Sequence, residues 1–135
     1  MKVIKSVAVV ALSLATSSVF AVSSNWEQFA ENDQAKFYVD ASTYQVHKTM
    51  KQYRQIWQLM EVKKVGKDRG KFYKTLVQHD CDDNRSRVAA IHVSDARNNT
   101  ITLINPISPA DSPFVSIIPD SIIAGRHQAI CAIPE

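Results

Sequence analysis

Residues 79 to 82 read His79-Asp80-Cys81-Asp82. A strand pattern leads into Cys81, and the acidic residues around it are typical of a turn. The chain has one other cysteine, Cys131. Because two cysteines in an exported chain usually pair, we expect a disulfide that fastens the C-terminal segment to the end of a β-strand. Such a link stabilises the fold by about 4 kcal/mol in the chain-entropy account. A nucleophilic Cys81 assisted by His79 is disfavoured where a partner cysteine is available.

The N-terminus indicates export. Two lysines, Lys2 and Lys5, precede an apolar run over residues 7–12, and a small-residue stretch ends at Ala21. This order is typical of a secretory signal peptide, so we expect residues 1–21 to be removed. The apolar run is too short to span a bilayer, and no cysteine near the expected cut offers a lipid attachment point. The protein is therefore expected in the periplasm or secreted, without a transmembrane segment or lipid anchor.

Length and charge set the remaining bounds. Residues 22–135 fit one compact domain that can bury a core of its own. Once the lysines of the signal peptide are discounted, basic and acidic side chains are nearly balanced. This balance argues for no particular partner, so any electrostatic preference must come from local clusters. We expect no nucleic acid as a partner.

The first half of the domain predicts strands. Residues 35–40 alternate as a strand, and the polar group Asp40-Ala41-Ser42-Thr43 predicts a reversal after it. Residues 53–62 carry apolar side chains on both faces, as expected for a central strand. A helix is the alternative there, because Ile56, Leu59 and Met60 have helical spacing, but the β-branched and aromatic content favours the strand.

The second half predicts further strands and then a helix. Strands are expected over 71–80, from Arg85 or Ser86 to Ser94 and over 100–105, and Arg87, Ala89, Ile91 and Val93 should share one face. Four prolines between 106 and 119 exclude central pairing over most of that span. Asp120 or Ser121 can then cap a short helix that reaches Cys131. The predicted fold is α+β: an antiparallel meander of five or six strands with one small C-terminal helix tethered by a disulfide.

No catalytic, cofactor or metal motif is complete. Alternate oxygen-bearing side chains from Asp80 resemble the start of a calcium loop, but Arg85 replaces the required glycine and Ile91 the bidentate glutamate. The four histidines, at 47, 79, 92 and 127, lack metal-site spacing and are expected at the surface or at sheet edges. We therefore expect no enzyme, no cofactor and no metal.

A basic hairpin is the one local cluster above background. Half of the positions from 63 to 74 are basic, with a single acid among them: the basic residues are Lys63, Lys64, Lys67, Arg69, Lys71 and Lys74. Such a cluster can bind sulfated glycans, lipopolysaccharide phosphates or acidic protein segments. The alternative is a solubilising tip that discourages strand pairing between molecules.

Several spaced features together resemble the surface-adhesin protein E family of small exported proteins of Gram-negative bacteria. They are Trp26, Tyr38-Val39-Asp40 with Ser42, Arg54-x-x-Trp57, Asp80-Cys81 with Arg85 and Arg87, Pro119-x-Ser121, and Cys131. The resemblance implies an antiparallel sheet with a small helix tethered to its concave side. It matches Cys81 and Cys131 to the family's paired cysteines, and Trp26 and Trp57 to its aromatic core positions.

The same resemblance suggests a function. The family's namesake is a surface lipoprotein that binds host matrix and plasma proteins and can form a homodimer. This chain departs from it in lacking a lipidation cysteine, in having Phe114 where a tryptophan is expected, and in having Asp120 before Ser121 in place of glycine. Host matrix or plasma proteins and anionic glycans are thus the expected ligands, and a soluble periplasmic binding protein is the alternative.

Overall fold

The structure is a computed structural model that describes residues 25–63 and 70–134. Seven strands and one helix follow in order: β1 (Trp26–Glu31), β2 (Ala35–Val46), β3 (Tyr53–Val62), β4 (Phe72–Asp80), β5 (Arg85–Ser94), β6 (Thr100–Ile104), β7 (Val115–Ser116) and α1 (Ile122–Cys131).

The strands form one antiparallel sheet in sequence order. Each strand from β1 to β6 pairs with the next along the chain, and the two-residue β7 pairs with the start of β5. The predicted meander with a small C-terminal helix is confirmed. The short β7 falls within the proline-rich span and was not predicted.

The segment from Tyr53 to Val62 is a strand, so the helix alternative is wrong. β3 lies between β2 and β4 and pairs with both over most of its length. Both faces of β3 are buried. Ile56, on the face towards α1, is 2% exposed, and Leu59, on the opposite face, is 1% exposed. A continuous apolar strand in the middle of a sheet is the result expected of such a pattern.

The predicted reversal at residues 40–43 is wrong. The chain continues through this group as one strand to Val46, and the pairing with β3 skips residues between Asp40 and Gln45. The Asp40 side chain accepts hydrogen bonds from the backbone N–H and the hydroxyl of Ser42, while Thr43 Oγ1 accepts from the Trp57 N–H. The turn-forming chemistry is therefore used for a bulge. The reversal comes at residues 47–52, where His47 Nδ1 accepts from the N–H groups of Thr49 and Met50.

A bulge in β5 also corrects the predicted face of Arg87. Val77 pairs with Val88, whereas the preceding Leu76 pairs with Ala90, so Ala89 is the extra residue. Arg87 consequently lies on the face opposite α1, away from Ile91. There its guanidinium donates to the carbonyl oxygens of Ile107 and Ser112. These bonds hold the proline-rich segment against the sheet.

Helix α1 packs on the other face of the sheet. Ser121 is the N-cap, and its hydroxyl accepts from the Ala124 N–H at 3.1 Å, as one of the two predicted caps requires. The side that is buried against the sheet consists of Arg126, His127 and Ile130. The contact surface of the helix is thus more polar than the surface by which a helix usually packs on a sheet.

Candidate functional site beneath the C-terminal helix

A disulfide joins Cys81, directly after β4, to Cys131, the last residue of α1. The S–S distance is 2.00 Å and the Cα–Cα distance is 5.6 Å, which confirms the predicted pairing. Because both sulfurs are consumed in this bond, Cys81 is not a thiol nucleophile. The link fixes the C-terminal end of the helix over the end of β4.

Arg54 forms a second clamp at the same end of the helix. The residue is 8% exposed, and its Nη1 donates to the carbonyl oxygens of Ile130, Cys131 and Ile133 at 3.3, 3.2 and 2.6 Å. The last carbonyls of a helix lack partners within the helix and carry its negative dipole end. A guanidinium from β3 is therefore well suited to cap them.

Two histidines meet beneath the helix. His79 on β4 and His127 on α1 are 0% and 3% exposed, and their Nδ1 atoms lie 2.9 Å apart. One ring must donate and the other accept, which requires at least one neutral imidazole. Burial, with further contributions from the charges of Arg126 and His127, lowers the pKa of His79 to about 3. The predicted surface position is thus wrong for these two histidines, whereas His47 is exposed.

The Nε2 atoms of the two histidines have different surroundings. His127 Nε2 lies 3.5 Å from Cys131 Sγ, while His79 Nε2 is buried without a hydrogen-bond partner. Burial is the main cause that lowers the pKa of His127, Arg126 lowers it further, and Asp80 opposes the shift. Cys81, Cys131 and His127 bring possible metal-ligand atoms within 4.8 Å of one another. With the sulfurs bonded to each other, that group offers one imidazole nitrogen and no thiolate.

Arg126 is the buried cation of the site. It is 5% exposed, its Nη1 donates to Gln58 Oε1, and its guanidinium lies 6.0 Å from the centre of the Phe29 ring. Its Nε is buried without a hydrogen-bond partner. Burial lowers the pKa of Arg126 to about 10, so the side chain remains charged at neutral pH. No carboxylate is among its contacts within residues 25–63 and 70–134.

Two of the clefts beside the helix share Arg126 as a lining residue. One, of about 450 Å³, lies towards β1 and β2 and includes Phe29, Val39 and Ala129. The other, of about 430 Å³, lies over β3 and β4 and includes Phe37, Met60 and Tyr73. Both are lined mainly by apolar side chains, and Arg126 lines both.

The acidic turn after β4 is a structural element. Asp80 is 1% exposed, and its carboxylate accepts from Arg85 at 2.6 Å and from the N–H groups of Asp82 and Asp83. Arg85 also lies over the Phe114 ring, which stacks on Tyr53 at 5.4 Å between centroids. The oxygen atoms that a calcium ion would need from Asp80 are thus already used by the turn and by Arg85.

The basic hairpin is described only in part. Lys64, Lys67 and Arg69 lie outside the described residues. Lys63 is exposed and forms an ion pair with Glu31, and Lys71 and Lys74 are half-buried. Lys74 belongs to β4, where it pairs with Leu59 and His92, and so it lies on the sheet itself. A binding role for this hairpin stays a prediction.

Sequence patterns had missed the buried basic residues. The pair Arg126-His127 lies in the middle of a mainly apolar helix, and alternation along β4 places His79 on the same face as Val77. These two local features are the sequence signals for the buried basic residues. Their meeting depends on where the disulfide places the helix, which no local pattern contains.

Comparison with known proteins gives a family match over most of the chain. The model of the family described as Surface-adhesin protein E matches residues 26–132. A search of curated proteins finds no match to this chain. None of the helices in the described part of the chain is long and apolar enough to cross a membrane. The family match spans most of the sequence and includes both cysteines, and on this evidence the chain belongs to the surface-adhesin protein E family.

Proposed function

We propose that this chain is an exported, non-catalytic binding protein that contacts host extracellular-matrix or plasma proteins. Its family membership supports an adhesin-like role, and the exposed apolar edge strand β6 is the observation that carries the proposal. The second candidate is a soluble periplasmic protein that binds an envelope component or a partner protein.

The β6 edge is open to a partner. β6 pairs with β5 on one side, and on the other side no strand of the described residues pairs with it. Ile101, Leu103 and Ile104 are 51%, 63% and 49% exposed, and the strand contains no charge and no proline. Natural sheets usually protect their edge strands with charged residues or proline. An unprotected apolar edge fits the addition of an extended segment from a partner protein.

The basic hairpin supplies a second, electrostatic surface in this proposal. Lys63, Lys64, Lys67 and Arg69 would attract sulfated glycans or acidic protein segments over a range limited by salt. A contribution of this kind raises the association rate more than it raises the affinity, and it weakens as ionic strength increases.

The first experiment measures capture of residues 22–135 by immobilised vitronectin, laminin and heparin across a salt series. We expect Ile101→Glu with Leu103→Glu to weaken binding to the two proteins at least tenfold, because charged groups would have to be desolvated at the contact. Ile118→Glu is the matched control, since Ile118 is 74% exposed and follows β7, which pairs with the opposite end of β5 from β6. Changing the four hairpin residues to serine should weaken mainly heparin capture, and only at low salt.

Each outcome separates the candidates. Unchanged capture by the β6 variant would remove this edge from the proposal. Wild-type protein that binds none of the three ligands would contradict adhesion and favour the periplasmic candidate, which cell fractionation then locates. If the variant loses a homodimer in size-exclusion chromatography but keeps its capture, β6 is a self-association edge.

A further inference from the structure

The charge and the lining of the space beside α1 indicate a ligand that the proposed adhesive role does not involve. We propose that the cleft between α1 and strands β2–β4 binds an amphipathic monocarboxylate, with its carboxylate on Arg126 and an unbranched apolar tail along Phe37, Met60 and Ile122. A medium-chain fatty acid has this chemistry. The site lies on the helix face of the sheet, away from the outer edge of β6.

The first support is the unbalanced charge of Arg126. Arginine is seldom buried without an anionic partner, because removing its charge from water is costly. Here Arg126 is 5% exposed, and the hydrogen-bond acceptor of its guanidinium among the described residues is the neutral amide of Gln58. The neighbouring histidines do not offset this charge, because Arg126 is one of the causes that lower the pKa of both His79 and His127 and thereby favour their neutral forms. The interior beneath the helix therefore favours an added negative charge.

The second support is the set of free donors. Nη1 of Arg126 is used by Gln58, whereas Nε is buried without a partner and Nη2 makes no hydrogen bond to the described residues. Nη2 is therefore the donor that is left for a carboxylate in the cleft, and a hydrogen bond between two charged groups is stronger than one between neutral groups. Thr75 Oγ1 is a further buried atom without a partner, and it lines the same cleft. A carboxylate at this point would satisfy donors that the protein leaves open.

The third support is the shape and polarity of the cleft. Its volume of about 430 Å³ falls within the range of about 300–1,000 Å³ that is usual for small-molecule sites. Phe37, Met60, Tyr73 and Ile123 line its apolar part, which a free inorganic anion would leave unfilled. Ligand sites of this kind combine an apolar lining with a few placed polar groups. An anionic head with an apolar tail satisfies both parts.

The experiment titrates the disulfide-bonded protein, residues 22–135, with decanoate, decanol and inorganic phosphate by calorimetry. We expect decanoate to bind at least tenfold more tightly than decanol, and phosphate to give no saturable heat. Arg126→Met keeps most of the side-chain volume and removes the charge, and so it should abolish the preference for decanoate over decanol. Without ligand, the same variant should unfold at a higher temperature than wild type, since an unpaired buried charge has been removed.

Two further variants secure the interpretation. Arg97→Met removes an arginine from the exposed turn between β5 and β6, and it should bind decanoate as wild type does. Met60→Trp fills the apolar part of the cleft and leaves the charge of Arg126 in place. It should weaken decanoate binding at least tenfold, and it tests the cleft separately if Arg126→Met fails to fold. The proposal is overturned if decanol binds as tightly as decanoate, if phosphate competes with decanoate at equal concentration, or if Met60→Trp binds decanoate unchanged. None of these results alters capture at β6, so the two proposals fail independently.

Discussion

At the scale of single residues, the two buried arginines on the helix face differ in how their charge is met. Arg54 donates to three carbonyl oxygens at the end of α1, whereas Arg126 has one amide acceptor and an aromatic ring. The sequence singled out Arg54 only as part of the motif that resembles the family. The burial of the two arginines was not predictable, because it depends on the position of the helix and on the register of β3.

The buried histidine His79 should make stability depend on pH. In the folded chain its pKa is about 3, whereas its usual value is 6.5, so between these values the unfolded chain binds a proton that the folded chain does not. Stability is therefore fully present above pH 6.5 and decreases as the pH falls towards 3, by up to about 1.4 kcal/mol per pH unit for one such group. The lowered pKa of His127 acts in the same direction.

Urea unfolding from pH 7 to pH 4 tests this dependence. His79→Gln should unfold with a shallower pH slope than wild type, whatever its stability at pH 7. His47→Gln is the matched control, because His47 is exposed, and it should keep the wild-type slope. Equal slopes for wild type and His79→Gln would mean that His79 does not contribute to acid sensitivity.

At the scale of elements, alternation and capping predicted most of the sheet and the helix. β3 and α1 follow the predicted bounds because apolar content on both faces and a serine cap are local signals. The wrong predictions of a chain reversal and of a strand face occur at bulges. Asp40 to Thr43 form side-chain bonds that suit a turn and a bulge equally well, and which one forms is decided by pairing with β3. The extra residue Ala89 likewise reverses the faces before and after it.

The link between β4 and α1 should hold the helix more than it holds the sheet. We expect Cys81→Ala with Cys131→Ala to lower the free energy of unfolding by about 4 kcal/mol, because the unfolded chain regains the freedom of the open loop. Hydrogen exchange should accelerate most over residues 122–131, since the helix then depends on Arg54 and on the His79–His127 contact. Exchange in β3 should change least.

Wild-type protein treated with reductant is the control for this variant, and its exchange pattern should agree with that of the alanine pair. If α1 keeps its protection in both, the disulfide is not what holds the helix in place. If β3 loses protection as much as α1 does, the helix and the sheet unfold as one unit.

At the scale of the whole molecule, a meander of neighbouring strands explains why the fold was accessible to sequence reasoning. From β1 to β6, strands that are neighbours in the chain pair in the sheet, so local turns and strand patterns specify nearly the complete topology. The cleft beside α1 was not accessible, because residues from β2, β3, β4 and the helix meet there only after folding. The same holds for the exposure of β6, which depends on its place at the end of the sheet.

The signal peptide predicted for residues 1–21 lies outside the described residues, and the N-terminus of the exported protein tests it. We expect N-terminal sequencing of protein recovered from the cell envelope or the medium to begin at or within a few residues of Val22. Blocking signal peptidase should leave a form that begins at Met1 and stays with the inner membrane. Recovery of an intact Met1 terminus, or of an acylated one, from untreated exported material would contradict the prediction.

The covalent loop between Cys81 and Cys131 also encloses the exposed, proline-rich segment around residues 106–112. A protease that cuts one peptide bond in this segment would release no fragment, because the two pieces remain joined through sulfur. Arg87 and the pairing of β7 with β5 would still hold the cut ends near the sheet. Such a nicked molecule would migrate as one band on a gel until a reducing agent is added. Damage of this kind would therefore stay hidden in assays that omit the reductant.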